Sequence, residues 1–324
     1  MDLLALVSRI PLFRLRGPFE ELANVGVMFV VLQLLRMLMG LVGVALIEFF
    51  CHNGAMKPAV RQRLASHLWY SAYYLVISAW GLYLFSHATG WMQQIDLVCS
   101  WEPVSVAFGT WRSLHVYHCV QVAFYLNYLF AMAVGIDRLR HDWIAYIAHH
   151  GITLLLILFS RNWGYLRIQV AILVLHDVAD PWISLAKVVK LARPKWNVVA
   201  DLLMTLFAFV FLATRWYAYP LYYVASCRDN WLRDYGADWT RASPQVWLDM
   251  DSTRLIVAGY HISHYGSAML LLYALYGLHL FWGGFILKMA WKKLVQGTGK
   301  GDENSDDEGA ADGETNGTVK KKTE

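Results

Sequence analysis

His149 and His150 sit side by side in the apolar run "AYIAHHGITLLLILFS" at residues 145–160, with Thr153 one helical turn further on. A second apolar run carries "HDVAD", placing His176, Asp177 and Asp180 at i, i+1 and i+4. Imidazole titrates near neutral pH, so it can act as a general base or as an acyl-accepting nucleophile. A carboxylate beside it fixes its tautomer and stabilises its charge. An aspartate at mid-membrane costs about 2.5–3.5 kcal/mol on insertion scales. Two of them on one segment therefore point to a polar cavity rather than to a lipid-facing surface. Neither serine nor cysteine offers a competing triad: Ser160 is close to the turn between the two runs, and Cys119 has no clear partner. Membrane di-iron chemistry would need several H-x-x-x-H and H-x-x-H-H boxes, which are absent. The i, i+3 pairs His115/His118 and His261/His264 are expected at the far boundary, so no metal is assigned.

The elements that must position these groups follow from composition. The chain is 57% hydrophobic and 16% charged, against about 25% charged for ordinary soluble domains. This predicts an all-α polytopic membrane protein. At roughly 20 apolar residues per crossing, seven spans are predicted: 22–50, 68–86, 117–135, 142–160, 165–189, 200–225 and 264–288. The opening residues break at Pro11 and make a poor signal peptide, so they are expected to be retained. Lysines and arginines in short loops set orientation. Lys57, Arg61 and Arg63, then Arg138 and Arg140, then Lys187, Lys190, Arg193 and Lys195, then Lys288, Lys292 and Lys293 all fall on one side. That side is read as cytosolic and the amino terminus as lumenal. The net charge of +4 is segregated by this topology, and no basic face suggests a nucleic-acid partner.

Three parts are expected: a lumenal amino terminus and first span at 1–60, a six-span domain at 61–296, and a disordered acidic cytosolic tail at 297–324. The tail ends in "KKTE", so Lys321 and Lys322 fit a receptor-read dilysine retrieval address for the endoplasmic reticulum. Cys99 and Cys227 fall in the two larger lumenal loops, an oxidising place where they could pair. Arg36, midway along the first span, should face protein or water rather than lipid.

Spans four and five are joined by the short turn "SRNWGYL" and should form an antiparallel hairpin that sets His150 opposite His176. His149 lies seven residues inside Asp142, and Asp180 seven before Lys187. At 1.5 Å per residue both are about 10 Å from the same end. Three histidines, two carboxylates and the Thr153 hydroxyl are thereby expected at one depth. His279, nine residues before Lys288, is expected at a similar depth.

These residues resemble the signature of ceramide synthases within the TLC lipid-sensing domain. His149, His150, Thr153, Ser160, Arg167, His176, Asp177, Asp180 and Lys187 match that pattern in type and spacing. "SHLWYSAYY", "RHDW", "ATRWYAYP" and "GLHLFWGGFI" are similar to other stretches of the domain, so the likeness covers about residues 61–296. Three positions depart: Arg161 stands for a tyrosine, Gln169 for a glycine and Ser184 for a glutamate. The homeobox-like insert of some animal members is absent.

The resemblance implies N-acylation of a sphingoid long-chain base by fatty acyl-CoA, a co-substrate, with no cofactor. His149, His150, His176, Asp177 and Asp180 would be catalytic. Thr153 and His279 would line the site, and Lys187, Lys190 and Arg193 are placed for CoA phosphates. It further implies a membrane-lipid environment and a homodimer or regulatory subunit. The alternative is a non-catalytic TLC-domain protein that binds or senses lipids.

Overall fold

Long runs without proline, rich in leucine, valine, alanine and aromatic residues, favour helices. Among the described residues, the computed structural model is accordingly mostly helical, with two three-residue strands. It describes residues 18–51, 56–87, 112–137, 142–162, 165–193, 195–229, 255–257, 260–262 and 264–296. The helices are α1 (Pro18–Leu38), α2 (Val44–Cys51), α3 (Pro58–His87), α4 (Arg112–Ala133) and α5 (Trp143–Asn162). They continue with α6 (Leu166–Asp177), α7 (Asp180–Ala192), α8 (Asn197–Phe211) and α9 (His264–Gln296). π-helical turns over Met39–Gly43 join α1 to α2, and a second π-helical stretch, Leu212–Val224, continues α8. Strands β1 (Leu255–Val257) and β2 (Tyr260–Ile262) pair antiparallel with Ile256 opposite His261.

Five described stretches are long and apolar enough to cross a membrane: Glu21–Cys51, Trp143–Arg161, Leu166–Ala192, Asn197–Asp229 and Ala268–Lys293. The other two expected spans coincide with α3 and α4, of 30 and 22 residues. At 1.5 Å rise even the shorter is about 33 Å long, enough for the hydrocarbon core. Their lower apolarity has a packing cause. His115, His118, Gln121 and Asn127 of α4 are all buried, at 1% exposure or less, so α4 turns its polar side chains to neighbouring helices rather than to lipid.

The span expected over 165–189 is present as one apolar stretch, Leu166–Ala192, with its helix interrupted partway. Pro181 lacks a backbone N–H and cannot bond the carbonyl four residues earlier, and the chain makes a turn at Val178–Ala179 between α6 and α7. The break falls within "HDVAD". Irregular backbone at membrane depth is tolerated where it lines a cavity.

Helix packing sets the frame. α3 lies along α6 and α7, α1 covers α4, α8 packs on α7, and α9 runs beside α5 and the second π-helical stretch. An aromatic core fills the α3–α4 seam. Tyr73 stacks on Phe124 with ring centroids 3.5 Å apart, and Tyr70 and Tyr128 lie 4.9 Å apart. At the end of α4, Gly135 adopts φ of 75°, a left-handed conformation that costs other residues strain. The reversal lets the Asp137 amide bond the Ala131 carbonyl at 3.1 Å, bringing the Asp137 side chain back onto the bundle.

There it meets Arg36 of α1. The guanidinium donates to Asp137 at 2.5 Å, and Ser66 and Tyr70 of α3 donate to the same carboxylate. Arg36 is 7% exposed, so the expectation that it avoids lipid is met by a buried ion pair. Cys227 is disulfide-bonded, while Cys51 and Cys119 are free thiols. Cys99, the expected partner, lies outside the described residues, as do Arg138, Arg140 and the tail with Lys321 and Lys322.

Candidate functional site

The site is built where α5, α6 and α9 meet beside the α6–α7 break. α5 presents His149 and His150, one residue and so about 100° apart around the helix. The pair consequently divides. His149 faces α6 and α9: its ring centroid is 5.9 Å from that of His176 and 5.2 Å, edge-on, from Trp282. His150 turns into tyrosines, 4.5 Å from Tyr128, 4.9 Å from Tyr146 and 5.4 Å from Tyr125. The symmetry argument set His150 against His176; the helix rotation gives that place to His149. Both nonetheless line the same cavity, together with His176 and Asp180.

Hydrogen bonds order the tautomers of the inner histidines. His176 Nδ1 is 2.6 Å from the Ile172 carbonyl and must donate to it, so its Nε2 is an acceptor. His279 Nε2 lies 2.6 Å from that nitrogen and donates to it. His279 Nδ1 is then left as a bare acceptor, buried and without a hydrogen-bond partner among the described residues. His149 Nδ1 is likewise buried and unpartnered there. His150 Nδ1 is held by the Tyr146 carbonyl at 2.8 Å. His279 thus joins the site directly.

The two carboxylates part company. Asp180 accepts from Arg215 Nη2 at 3.1 and 3.2 Å, and the same nitrogen donates to the His176 carbonyl at 2.7 Å. Arg215 comes from the second π-helical stretch, is buried, and stacks 4.5 Å over Phe211. Asp177 points away from the cavity into the α3–α4 seam, where Gln121 donates to it at 2.6 Å. Thr153 donates to the His149 carbonyl at 2.8 Å and faces a different, deeper cavity.

The π-helical stretch clamps α9 as well. Trp216 Nε1 donates to the His279 carbonyl at 2.9 Å, and Tyr219 to the Leu272 carbonyl at 3.0 Å. A Cβ at position 283 would lie 2.2 Å from Trp216 Nε1, so only glycine fits there. This close approach holds α9, and with it His279, against α6.

Two cavities result. The upper runs from Arg63 and Lys187 at the basic end down to the histidines, and buried Ser184 lines it where the resembling proteins carry glutamate. Lys190 is exposed, and Arg193 donates to the Phe50 carbonyl at 3.0 Å; neither lines the cavity. The lower cavity is almost wholly apolar. Its nearest residues, Thr153, Ile172 and Leu275, are each four positions from His149, His176 and His279, and four residues is one helical turn. Three helices thus carry a histidine at one level and the mouth of an apolar slot one turn deeper.

Sequence reasoning missed Arg215, Trp282 and Gln121, which come from other helices at no fixed spacing from the motif. The signal that could have found Arg215 is its place inside the apolar run "ATRWYAYP", where the cost argument applied to Arg36 holds equally. A second polar cluster was also passed over. Glu21 of α1 bonds His118 at 3.0 Å and Arg161 at 2.9 Å, and His118 bonds Gln169 at 3.0 Å. Among the described residues, no three His, Cys, Asp or Glu side chains are placed to hold a metal ion.

Comparison with known proteins accords with this geometry. The TLC domain family profile (TRAM, LAG1 and CLN8 proteins) matches residues 63–288. Human ceramide synthase 3 is 27% identical over 259 residues, 78% of this chain and 57% of that protein. Sphingosine N-acyltransferase lac1 of Schizosaccharomyces pombe is 22% identical over 258 residues, 79% of this chain and 62% of that one. Alternaria stem canker resistance protein 1 of tomato is 31% identical over 172 residues, 53% and 49% of the two chains. The chain spans about half to three-fifths of the length of these relatives.

Proposed function

Starting from the premise that this chain belongs to the TLC-domain family, we propose that it is an N-acyltransferase joining a fatty acyl group from acyl-CoA to the amine of a sphingoid base. The products are (dihydro)ceramide and CoA. One observation carries the reading: His149, His150, His176 and Asp180 line a cavity reaching the basic end, and an apolar slot begins one turn below the histidines. Acyl-CoA is a charged head on an alkyl tail. Arg63 and Lys187 at the mouth suit its phosphates, and the slot suits the tail.

The chemistry follows from what each group can do. The sphingoid amine must lose a proton to attack the thioester, and the CoA sulfur must leave as thiolate or thiol. His149 has an unpartnered Nδ1 at the cavity and is the group to accept that proton or to take the acyl group itself. His150, whose Nδ1 donates to the Tyr146 carbonyl, stands beside it and donates from Nε2 to the developing oxyanion only as the imidazolium. His176 and His279 form a neutral pair whose shared hydrogen bond conveys proton shifts between α6 and α9. Arg215 holds Asp180 and the His176 carbonyl together and so fixes the ring's position. Asp177 serves the fold rather than the reaction in this reading.

The basic end is cytosolic, where acyl-CoA is found, and the membrane is that of the endoplasmic reticulum, with Lys321 and Lys322 as the retrieval signal. The experiment is incubation of purified protein with sphinganine and a panel of acyl-CoAs, followed by lipid mass spectrometry. Ceramide formation that vanishes in H149A is the expected result; no transfer with any chain or base would end the proposal. Intact-mass measurement after acyl-CoA alone separates a covalent acyl-histidine from direct attack.

A further inference from the structure

We propose that Gln169 is the residue that limits the length of alkyl chain this protein accepts, an inference that rests on the acyl-transfer reading above. Tyr165, Ile168, Gln169 and Ile172 follow i, i+3, i+4 and i+7 spacing and form the face of α6 that lines the apolar slot. Gln169 lies seven residues before His176, which at 1.5 Å per residue is about 10 Å deeper than the reacting level.

A glutamine in an apolar cavity would ordinarily be a pliable wall. This one is held at both amide atoms. Its Nε2 donates to His118 Nδ1 at 3.0 Å, and its Oε1 lies 2.9 Å from the Ser160 hydroxyl, whose one proton is shared with the Leu156 carbonyl at 2.7 Å. His118 is anchored in turn by charge, its other nitrogen lying 3.0 Å from the Glu21 carboxylate, and Arg161 neutralises that carboxylate at 2.9 Å. Gln169, His118 and Ser160 are each buried. An alkyl end that pushed the amide aside would strand a buried donor and acceptor, a penalty larger than the gain from burying one more methylene group. The wall is therefore rigid although its side chain is long. Four elements combine to hold it: α1 supplies Glu21, α4 His118, α5 Ser160 and Arg161, and α6 Gln169.

The test compares wild type, Q169A, Q169N and Q169M as full-length protein, with sphinganine and a ladder of saturated acyl-CoAs from medium to very long chain. Q169A opens the wall by removing Cγ and the whole amide group. It should raise the product ratio for chains two to four carbons beyond the wild-type limit by about tenfold. Q169N should move the limit the same way by less. Q169M keeps the volume while losing both hydrogen bonds, so its pliable side chain should let the limit move upward, by less than in Q169A. An unchanged chain-length profile in active Q169A overturns the proposal. Should Q169A fail to fold, an unchanged profile in Q169N overturns it as well. Wild type that transfers no chain at all defeats the acyl-transfer reading instead. Native mass spectrometry of fatty acids retained by wild type and Q169N then still reads the length limit directly, with equal chain lengths counting against Gln169.

Discussion

The bundle holds two buried polar clusters, one at each end of the apolar slot, and they are built on opposite terms. Around Glu21 the charges answer one another: Arg161 and His118 lie 2.9 and 3.0 Å from the carboxylate, Gln169 gives to His118, and the Ser160 hydroxyl lies 2.9 Å from Gln169. Around the histidines the accounting stays open. His149 and His279 each keep a buried Nδ1 without a partner among the described residues, and the cluster borders a cavity. Buried polar groups in folded proteins are nearly always paired, so unpaired imidazole nitrogens with no carboxylate against them mark chemistry, and a charge-balanced set marks architecture. Amino-acid type does not separate the two, since both contain histidine and a carboxylate.

Several variants would break or sharpen that contrast. The largest effect is expected for H149A, which should lower acyl transfer by about 10²–10⁴-fold, the range for removal of a general base, while the thermal unfolding midpoint stays near that of wild type. A variant that keeps full activity would erase the distinction between the clusters.

Asp137→Ala is the structural counterpart. It leaves Arg36 buried and uncompensated, which costs about 3–5 kcal/mol, and should show as a lower unfolding midpoint and reduced recovery of protein. Arg215→Met removes charge-assisted bonds worth about 1.5–3 kcal/mol. Since those bonds hold Asp180 and the His176 carbonyl, transfer should fall more than stability does, read as kcat against unfolding midpoint. Glu21→Gln should do the reverse, losing about 1–3 kcal/mol of stability through the weakened pair with Arg161 and His118 and a smaller share of the transfer rate. Thr153→Val, which deletes only a back-bond to the His149 carbonyl, should cost about 1 kcal/mol or less. A steep activity loss there would assign the hydroxyl a direct part in the reaction.

Much of the site was legible before any coordinates. His149, His150, His176 and Asp180 do line one cavity, because the short turn between the two apolar runs forces an antiparallel hairpin and equal rise places them at one depth. The assignment of Asp177 to the same cavity followed from depth, from its i, i+3 spacing to Asp180 and from the motif. Depth says nothing of direction, and the rotation of α6 sends Asp177 to Gln121. The kink before Pro181 was legible in the residue itself and hidden by the apolar run around it. Arg36 was recognised as needing a partner, yet Asp137, 101 residues away, could not be named.

The sequence by itself determined the helical membrane architecture, the depth of the histidines and the basic end of the molecule, because hydropathy and helical rise are properties of a single segment. Only the tertiary structure decided which imidazoles meet, which carboxylate serves the cavity, that Arg215 and Trp282 complete its walls, and that Gln169 lines the slot below. Those outcomes depend on how each helix is rotated about its axis, and that rotation is set by packing against several neighbours at once, which no local stretch of residues contains.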